Sequence, residues 1–566
     1  MNKNNHALSR CCSPGCNEIL PRPRRLYLPV RLALTATLNL SAVMSAQAAL
    51  ICPNLSSYVL TDSAVVYDSC SLFAPLTILG SGSLINFGSV YNYSNLVNFG
   101  KVTNYDVLRN QSGATLGNYG SLLNMQGGSL VNDGSMQSFT GSRLDNSGTL
   151  TNGVGGSVNN GGSMTSFTGS RLDNAGSLTN TGSMRIDGAM TNLAVGEVDN
   201  HGDLTNQVNG SWVNNGVVKN YFAGVLKNSG DITNGVLGLL RNDGVMTNYL
   251  SGRLDNHGSL INRLNGSLDN LGVLVNLSNG RLDNYGELRN EYDGLLDNRG
   301  ELVNKPGALL NNAGMLKNGS TGNVINQGEI ANRYSSAFIN EGVLFNDALV
   351  RNDGTMENAG QLEVTENASI QGVGTFEQND GSTRVDGLIS QENVSFHGGE
   401  LFGTGVIEVM GNNLVVDHGT IVNPGAERGA GALTFDADLA FGGDLIIEFE
   451  SLTSWDRLDI LGNVDFNSGS TVLFDFQGFV PEAGDSFDFL FASSMTGFDN
   501  ISFSTSDSFE GLGWSVLQTA GNDLRLTFNV SPVPLPASFW LLGSGLAALA
   551  GLARRRGRGA MAGIRS

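Results

Sequence analysis

Between Asn104 and Asn346 the chain repeats one short phrase, Gly-x-Leu-x-Asn, and residues 280–290, GRLDNYGELRN, carry it twice. The asparagines advance by alternating steps of six and eight, as in Asn256, Asn262, Asn270, Asn276, Asn284, Asn290 and Asn298, so the sequence period is fourteen residues. A fixed period of this kind marks a solenoid. An extra step of six intrudes near Ile186, and Asn86 to Asn110 advance by sixes only. SFTGSRLDN at 138–146 recurs at 166–174, which puts Ser138 and Ser166 at asparagine positions.

Side chains alternate across a strand, so Gly280, Leu282 and Asn284 point one way. Leu is then the inward core residue. Asn is the inward corner residue, where its amide stacks on the copy in the next coil and a left-handed backbone is tolerated. Gly lets the backbone pass the crowded corner. One residue (Tyr285) separates Asn from Gly in the six-step and three (Glu291, Tyr292, Asp293) in the eight-step, so a tight turn alternates with a wider one. This predicts an all-β chain, a flattened two-sided β-solenoid of stacked 14-residue coils, with a triangular coil of three units as the other geometry. Roughly sixteen such coils make a rod of about 75 to 80 Å. A lone coil offers about two inward Leu, at roughly 3 kcal/mol each at most, against an ordering cost of about 1 to 2 kcal/mol per residue. Stability must therefore come from stacking, with caps at the ends.

After Asn358 the pattern decays, and alternating runs such as DLIIEFE, STVLFDF and DLRLTFNV read as strands between Gly, Asp and Asn turns. Residues 423–449, NPGAERGAGALTFDADLAFGGDLIIEF, resemble the closing segment of autotransporter passenger solenoids. That resemblance implies further β-helix ending in an aromatic-rich cap. No translocating barrel is expected after it.

Charge narrows the class. The formal net charge is −20; removing residues 1–48 takes away six Lys/Arg and Glu18, giving −25, and removing everything after Ala553 takes five more Arg, giving −30. So acidic a chain is a poor partner for nucleic acid. At the front, Arg22, Arg24, Arg25 and Arg31 precede an apolar run, Leu32 to Met44, and Ala46 and Ala48 have the A-x-A spacing of a signal peptidase site, with the cut after Ala48. Export through the Sec machinery follows. Of five cysteines only Cys52 and Cys70 outlast that cut, a candidate disulfide worth roughly 3 kcal/mol; two unpaired buried thiols are the alternative.

At the back, Val533, Pro534, Leu535 and Pro536 lead into an apolar stretch, Ala537 to Ala553, that Arg554, Arg555 and Arg556 stop. Counted from Leu535 it is long enough for one transmembrane helix, with the arginines cytoplasmic. The order of box, span and Arg cluster is similar to PEP-CTERM proteins, the Gram-negative substrates of exosortase, over about the last thirty residues, with Leu535 standing where that motif has Glu. The resemblance implies transient anchoring in the inner membrane, cleavage by exosortase at Val533 to Pro536, and delivery to the cell surface or an exopolysaccharide matrix. The domain reading is a signal peptide (1–48), an N-terminal cap (49–83), the repeat solenoid (84–366), a β-rich region (367–531), the sorting signal (532–558) and a short cytoplasmic tail (559–566).

Candidate chemistry is sparse, and no catalytic, cofactor or metal motif appears. His201 and His257 fall in the variable slot of the tight turn. Asp255, Asp269, Asp283 and Asp297 share one phase of a 14-residue coil and would stack outward about 4.8 Å apart, either as a calcium-holding ladder or as surface charge countered by Arg253 and Arg281. Three functions stay open: a non-enzymatic structural protein of the surface or biofilm matrix; an adhesin or glycan-binding rod that binds through the aromatic-rich region beyond residue 367; and a β-helix polysaccharide-degrading enzyme.

Overall fold

The computed structural model describes residues 48–49, 58–411, 413–425, 429–530 and 537–558. Nearly every repeat unit becomes a four-residue strand, x-Leu-x-Asn, whose second and fourth side chains are buried, as in Arg281–Asn284 and Glu287–Asn290. The strands stack parallel and in register. Arg281–Asn284 pairs with Ser259–Asn262 on one side and Glu301–Asn304 on the other, leucine beside leucine and asparagine beside asparagine.

Those partners lie 22 and 20 residues away, not fourteen. The coil therefore has three sides, and the flattened two-sided coil is corrected to the triangular one. In each coil a strand of face 1 (such as Glu287–Asn290) is followed by one of face 2 (Leu295–Asn298) and one of face 3 (Glu301–Asn304). Two coils take 42 residues, as from Asn256 to Asn298 on face 2. The Leu/Asn pattern is the same in every strand, so it decides what points inward but not how many sides close a coil. The corner angle decides that: reversing the chain at every turn makes two sides, whereas bending it by a third of a revolution makes three.

Face 2 stacks 21 strands, from Cys70–Leu72 to Ser494–Thr496, about 95 Å at the usual strand spacing. Its regular part, Ser89–Asn92 to Thr355–Asn358, holds fourteen coils and is about 62 Å long, shorter than the sixteen-coil rod expected from a 14-residue unit.

The asparagines form the columns at the corners. Asn284 Nδ2 donates to Asn304 Oδ1 (2.9 Å) in the next coil and to the Leu309 carbonyl (3.0 Å), while its Oδ1 accepts from Asn262 Nδ2 (2.9 Å). Both donors and an acceptor lone pair are thus used inside a site closed to water. The corner asparagines are not left-handed, since the non-glycine residues with positive φ among those described are Ser335 and Asn522; left-handed backbone falls instead in wide turns, at Gly113 and Gly307 for example. Gly286 is required by close approach instead, since a Cβ there would lie 2.3 Å from the Arg263 carbonyl oxygen of the preceding coil.

The ladder's interruptions leave a signature. Ile78, Ser138 and Ile186 stand where an asparagine would precede Asn98, Asn160 and Asn206, and those three carboxamide oxygens are buried without a partner. Each missing amide below leaves one acceptor unsatisfied above.

Beyond Asn358 the coils continue, but valine, glutamine and phenylalanine replace asparagine at the inward corner positions, as at Val364, Gln378, Val385 and Phe396. Phe376, Phe396, Phe435, Phe449 and Phe474 are all fully buried. The stack then closes: Ser486–Phe491 pairs antiparallel with Asp523–Val530, which pairs antiparallel with Leu512–Gln518. This meander covers the last parallel strand of face 1, whose open edge would otherwise recruit other chains.

The ladder generates opposed expectations for urea unfolding. Asn284→Leu should lose about 1 to 3 kcal/mol, because it leaves the buried Asn304 Oδ1 without its donor and takes a side-chain donor from the Leu309 carbonyl. Ser138→Asn should gain about 0.5 to 1.5 kcal/mol by giving Asn160 Oδ1 its donor. A neutral result at both positions refutes the ladder as a source of stability.

Candidate functional site

Most of the expected sorting residues, Ala46, Val533, Pro534, Leu535 and Pro536, and the candidate disulfide partner Cys52 lie outside the described residues. Ala48 begins a two-residue strand, Ala48–Ala49, beside Ala64 and Val65. Cys70 is buried in the first strand of face 2 and is disulfide-bonded. The stretch before the arginines is a helix, Ala537–Arg558, that takes in Arg554, Arg555 and Arg556. Leu541, Leu542, Leu546, Leu549 and Leu552 are exposed on it. Its glycines, serines and alanines dilute them, and among the described residues no helix is both long and apolar enough to cross a membrane.

The carboxylate ladder is overturned by the three-sided coil. Asp269 lies on face 1, Asp255 and Asp297 on face 2 and Asp283 on face 3; Val275 separates the only two that share a face. Each faces an arginine instead: Arg253–Asp255 at 2.8 Å, Arg281–Asp283 at 2.7 Å, Arg299–Asp297 at 2.7 Å and Arg289–Asp269 at 3.2 Å. Among the described residues no three His, Cys, Asp or Glu side chains gather to hold a metal. His201 and His257 sit in tight turns, with His201 stacked on Tyr221 at 4.1 Å.

Aromatic side chains reverse the expected distribution of binding surface. Many beyond residue 367 fill the core: Phe449, Phe476, Phe487 and Phe528 pack on one another, with ring centroids 4.7 Å apart for Phe449–Phe476 and 5.7 Å for Phe476–Phe528. The adhesin reading loses most of the aromatic surface it was assigned there. Stacked aromatics lie on the surface at the opposite end, in columns along the corners: exposed Tyr67, Phe87 and Tyr105 on one edge, and exposed Phe99 and Tyr119 with half-buried Phe139 on another. Neighbouring rings are 3.8 to 5.7 Å apart and nearly parallel, so each covers its neighbour's faces and shows solvent its rim. Only the three-sided register reveals these columns, because their members are 18 to 20 residues apart.

Two adjacent-coil clusters also escape sequence reading. On face 3 the outward column Phe345, Glu363, Arg384 and Phe402 borders a shallow groove of about 190 Å³. His397 Nδ1 lies 2.6 Å from Asp417 Oδ2, both partly exposed. At the cap, Asp456 is 1% exposed beside a groove of about 330 Å³ between Gly431 and Trp455. Its two oxygens accept from the backbone N–H groups of Gly431 and Glu448, each at 2.9 Å. Burial raises its pKa from the usual value near 3.8 to about 7; the two N–H donors pull it back, and Glu448 and Glu450 add repulsion. With both oxygens tied to backbone, this acid holds the loop against the strand and is not placed to work on a substrate.

The fold is thus a capped, three-faced parallel β-solenoid. No protein family and no curated protein sequence matches the chain. Among solved structures it is similar to the crystal structure of the Haemophilus influenzae Hap adhesin, at a TM-score of 0.32 and 13% identity, over 80% of this chain and 64% of that one. The chain spans less than two thirds of that neighbour, and a likeness this loose carries no functional argument.

Asp456 sets a pH dependence. Between about pH 4 and 7 the folded chain keeps a proton that the unfolded chain has lost, so stability is fully present below about pH 4 and falls as pH rises through about 7. Asp456→Asn should flatten this slope in denaturant titrations at pH 4.5, 6 and 8. Identical pH profiles for parent and variant would exclude Asp456 as its source.

Proposed function

We propose that this chain is an exported, non-enzymatic structural rod of the cell surface or exopolysaccharide matrix, sorted by exosortase. The observation that carries the reading is uniformity. Over fourteen coils the outward positions hold surface ion pairs and turns, with no repeated or unique constellation suited to catalysis, while the interior is bound tightly from coil to coil. Such an object is suited to spacing and load-bearing. Signal peptidase would release residues 1–48, the Ala537–Arg558 helix would hold the chain transiently at the inner membrane, and cleavage near Val533 to Pro536 would free it. A second reading, a glycan-binding rod, is favoured by the exposed aromatic columns at the N-terminal coils. It ranks lower because a sugar ring needs an aromatic face, and neighbouring rings occupy those faces.

The sorting step predicts a mature form lacking everything after about Pro536, and accumulation of the uncut form in the inner membrane when exosortase is deleted. Intact-mass analysis that finds Arg554 to Arg556 on surface-located protein sinks it. For the second reading, Phe87→Ser with Tyr105→Ser should abolish retention on exopolysaccharide; unchanged retention removes it.

A further inference from the structure

Because turn lengths alternate between two values while faces come in threes, each edge carries a wide turn at every second coil and a tight turn between. On the edge from face 1 to face 2 the wide turns present Val208, Leu250, Tyr292 and Tyr334 at their tips, each 65 to 84% exposed. Successive tips are two strand spacings apart, about 9.6 Å. Between the Tyr292 and Tyr334 turns lies a notch of about 420 Å³, floored by Leu295, Ala313, Met315 and Ala337. Apolar teeth thus alternate with an apolar-floored gap. Bulky apolar side chains held this far into water mark an interaction surface.

We propose that this edge docks a second copy of the chain, antiparallel, each tip seated in the other's notch. A partner must share the two-coil period to mesh along the whole edge, and a copy does so by construction. With the two-fold axis midway between the Glu287–Asn290 and Leu309–Asn312 coils, Tyr292 of one copy sits over Ala313 of the other. Tyr334 then sits over Leu271. In that register the turn bearing Glu291 and Asp293 in one copy lies one coil from the Arg333 turn of the other on one side and one coil from the other's own Glu291 and Asp293 on the opposite side, so charge neither selects nor forbids the contact and the matching two-coil period carries it. Such a contact is isologous and closes at two copies. Buried aromatics remove about 150 to 250 Å² each, so four tyrosines and the notch walls around them reach the low end of specific interfaces, about 1,000 Å². The coils are already rigid, so little backbone ordering opposes docking.

Sedimentation of the full chain between about 1 and 100 µM tests this. The parent should dimerise reversibly, and Tyr292→Asp with Tyr334→Asp should weaken association at least tenfold without changing the circular dichroism. The control, Ser278→Asp with Ser320→Asp, adds the same charge at exposed wide turns of the edge between faces 2 and 3 and should associate like the parent. Oxidation of a Tyr292→Cys, Ala313→Cys chain should give a covalent dimer. A parent that stays monomeric to 100 µM overturns the proposal, as does equal weakening by both charge pairs. Tyrosine-dependent binding of a soluble β-1,4-glucan by a monomeric parent would overturn it in favour of a glycan.

Discussion

The column of stacked carboxamides is the interaction on which the rest depends. An asparagine amide has two donors and an acceptor to satisfy, and a buried corner offers them only if the next coil places an identical amide one strand spacing away. Register is thereby fixed: a slip by one residue would put the leucines outside and strand every amide inside. Leucine fills the interior between the columns, and glycine follows asparagine because the same close stacking leaves no room for a Cβ beside the neighbouring carbonyl. The exceptions support this ordering. Ile78, Ser138 and Ile186 substitute in the column, but each leaves the next carboxamide oxygen without a donor.

Repetition also governs what the surface can do. Equivalent outward positions recur every coil, so each outward side chain meets its counterparts in the coils above and below at one strand spacing. Individuality is confined to turn residues and to the two ends. At the N-terminal coils the slot after asparagine holds stacked rings; farther along, the tips of the wide turns hold exposed valine, leucine and tyrosine. The two-coil spacing of those tips is a product of counting, two turn lengths distributed over three corners.

The C-terminal third solves a different problem. Once asparagine leaves the corners, the continuous amide column ends with isolated carboxamide bonds at Gln378 and Gln391, and phenylalanine then fills the interior by shape. Edge-to-face contacts such as Phe474–Phe489 at 5.0 Å and Phe509–Phe528 at 5.3 Å fix how the final strands cross. Asp456 belongs to this region: it satisfies two backbone N–H groups at the cost of being buried beside Glu448 and Glu450.

Local chemistry was legible in the chain itself. Alternation makes Leu282 and Asn284 inward and Arg281 and Asp283 outward whatever the coil shape, and the spacing between Asn and Gly distinguishes tight from wide turns. Which outward residues meet is a different matter. Asp255, Asp269, Asp283 and Asp297 share a phase in the sequence yet lie on three faces, while Phe87 and Tyr105, eighteen residues apart, stack at 4.7 Å. A one-dimensional pattern with identical units carries no record of how many units close a ring, because every unit satisfies its own in–out rule equally well in two sides or three. Only the corner angle, set by how the asparagine amides and turn carbonyls pack against the coil below, decides that number. With it come the neighbours of every exposed side chain.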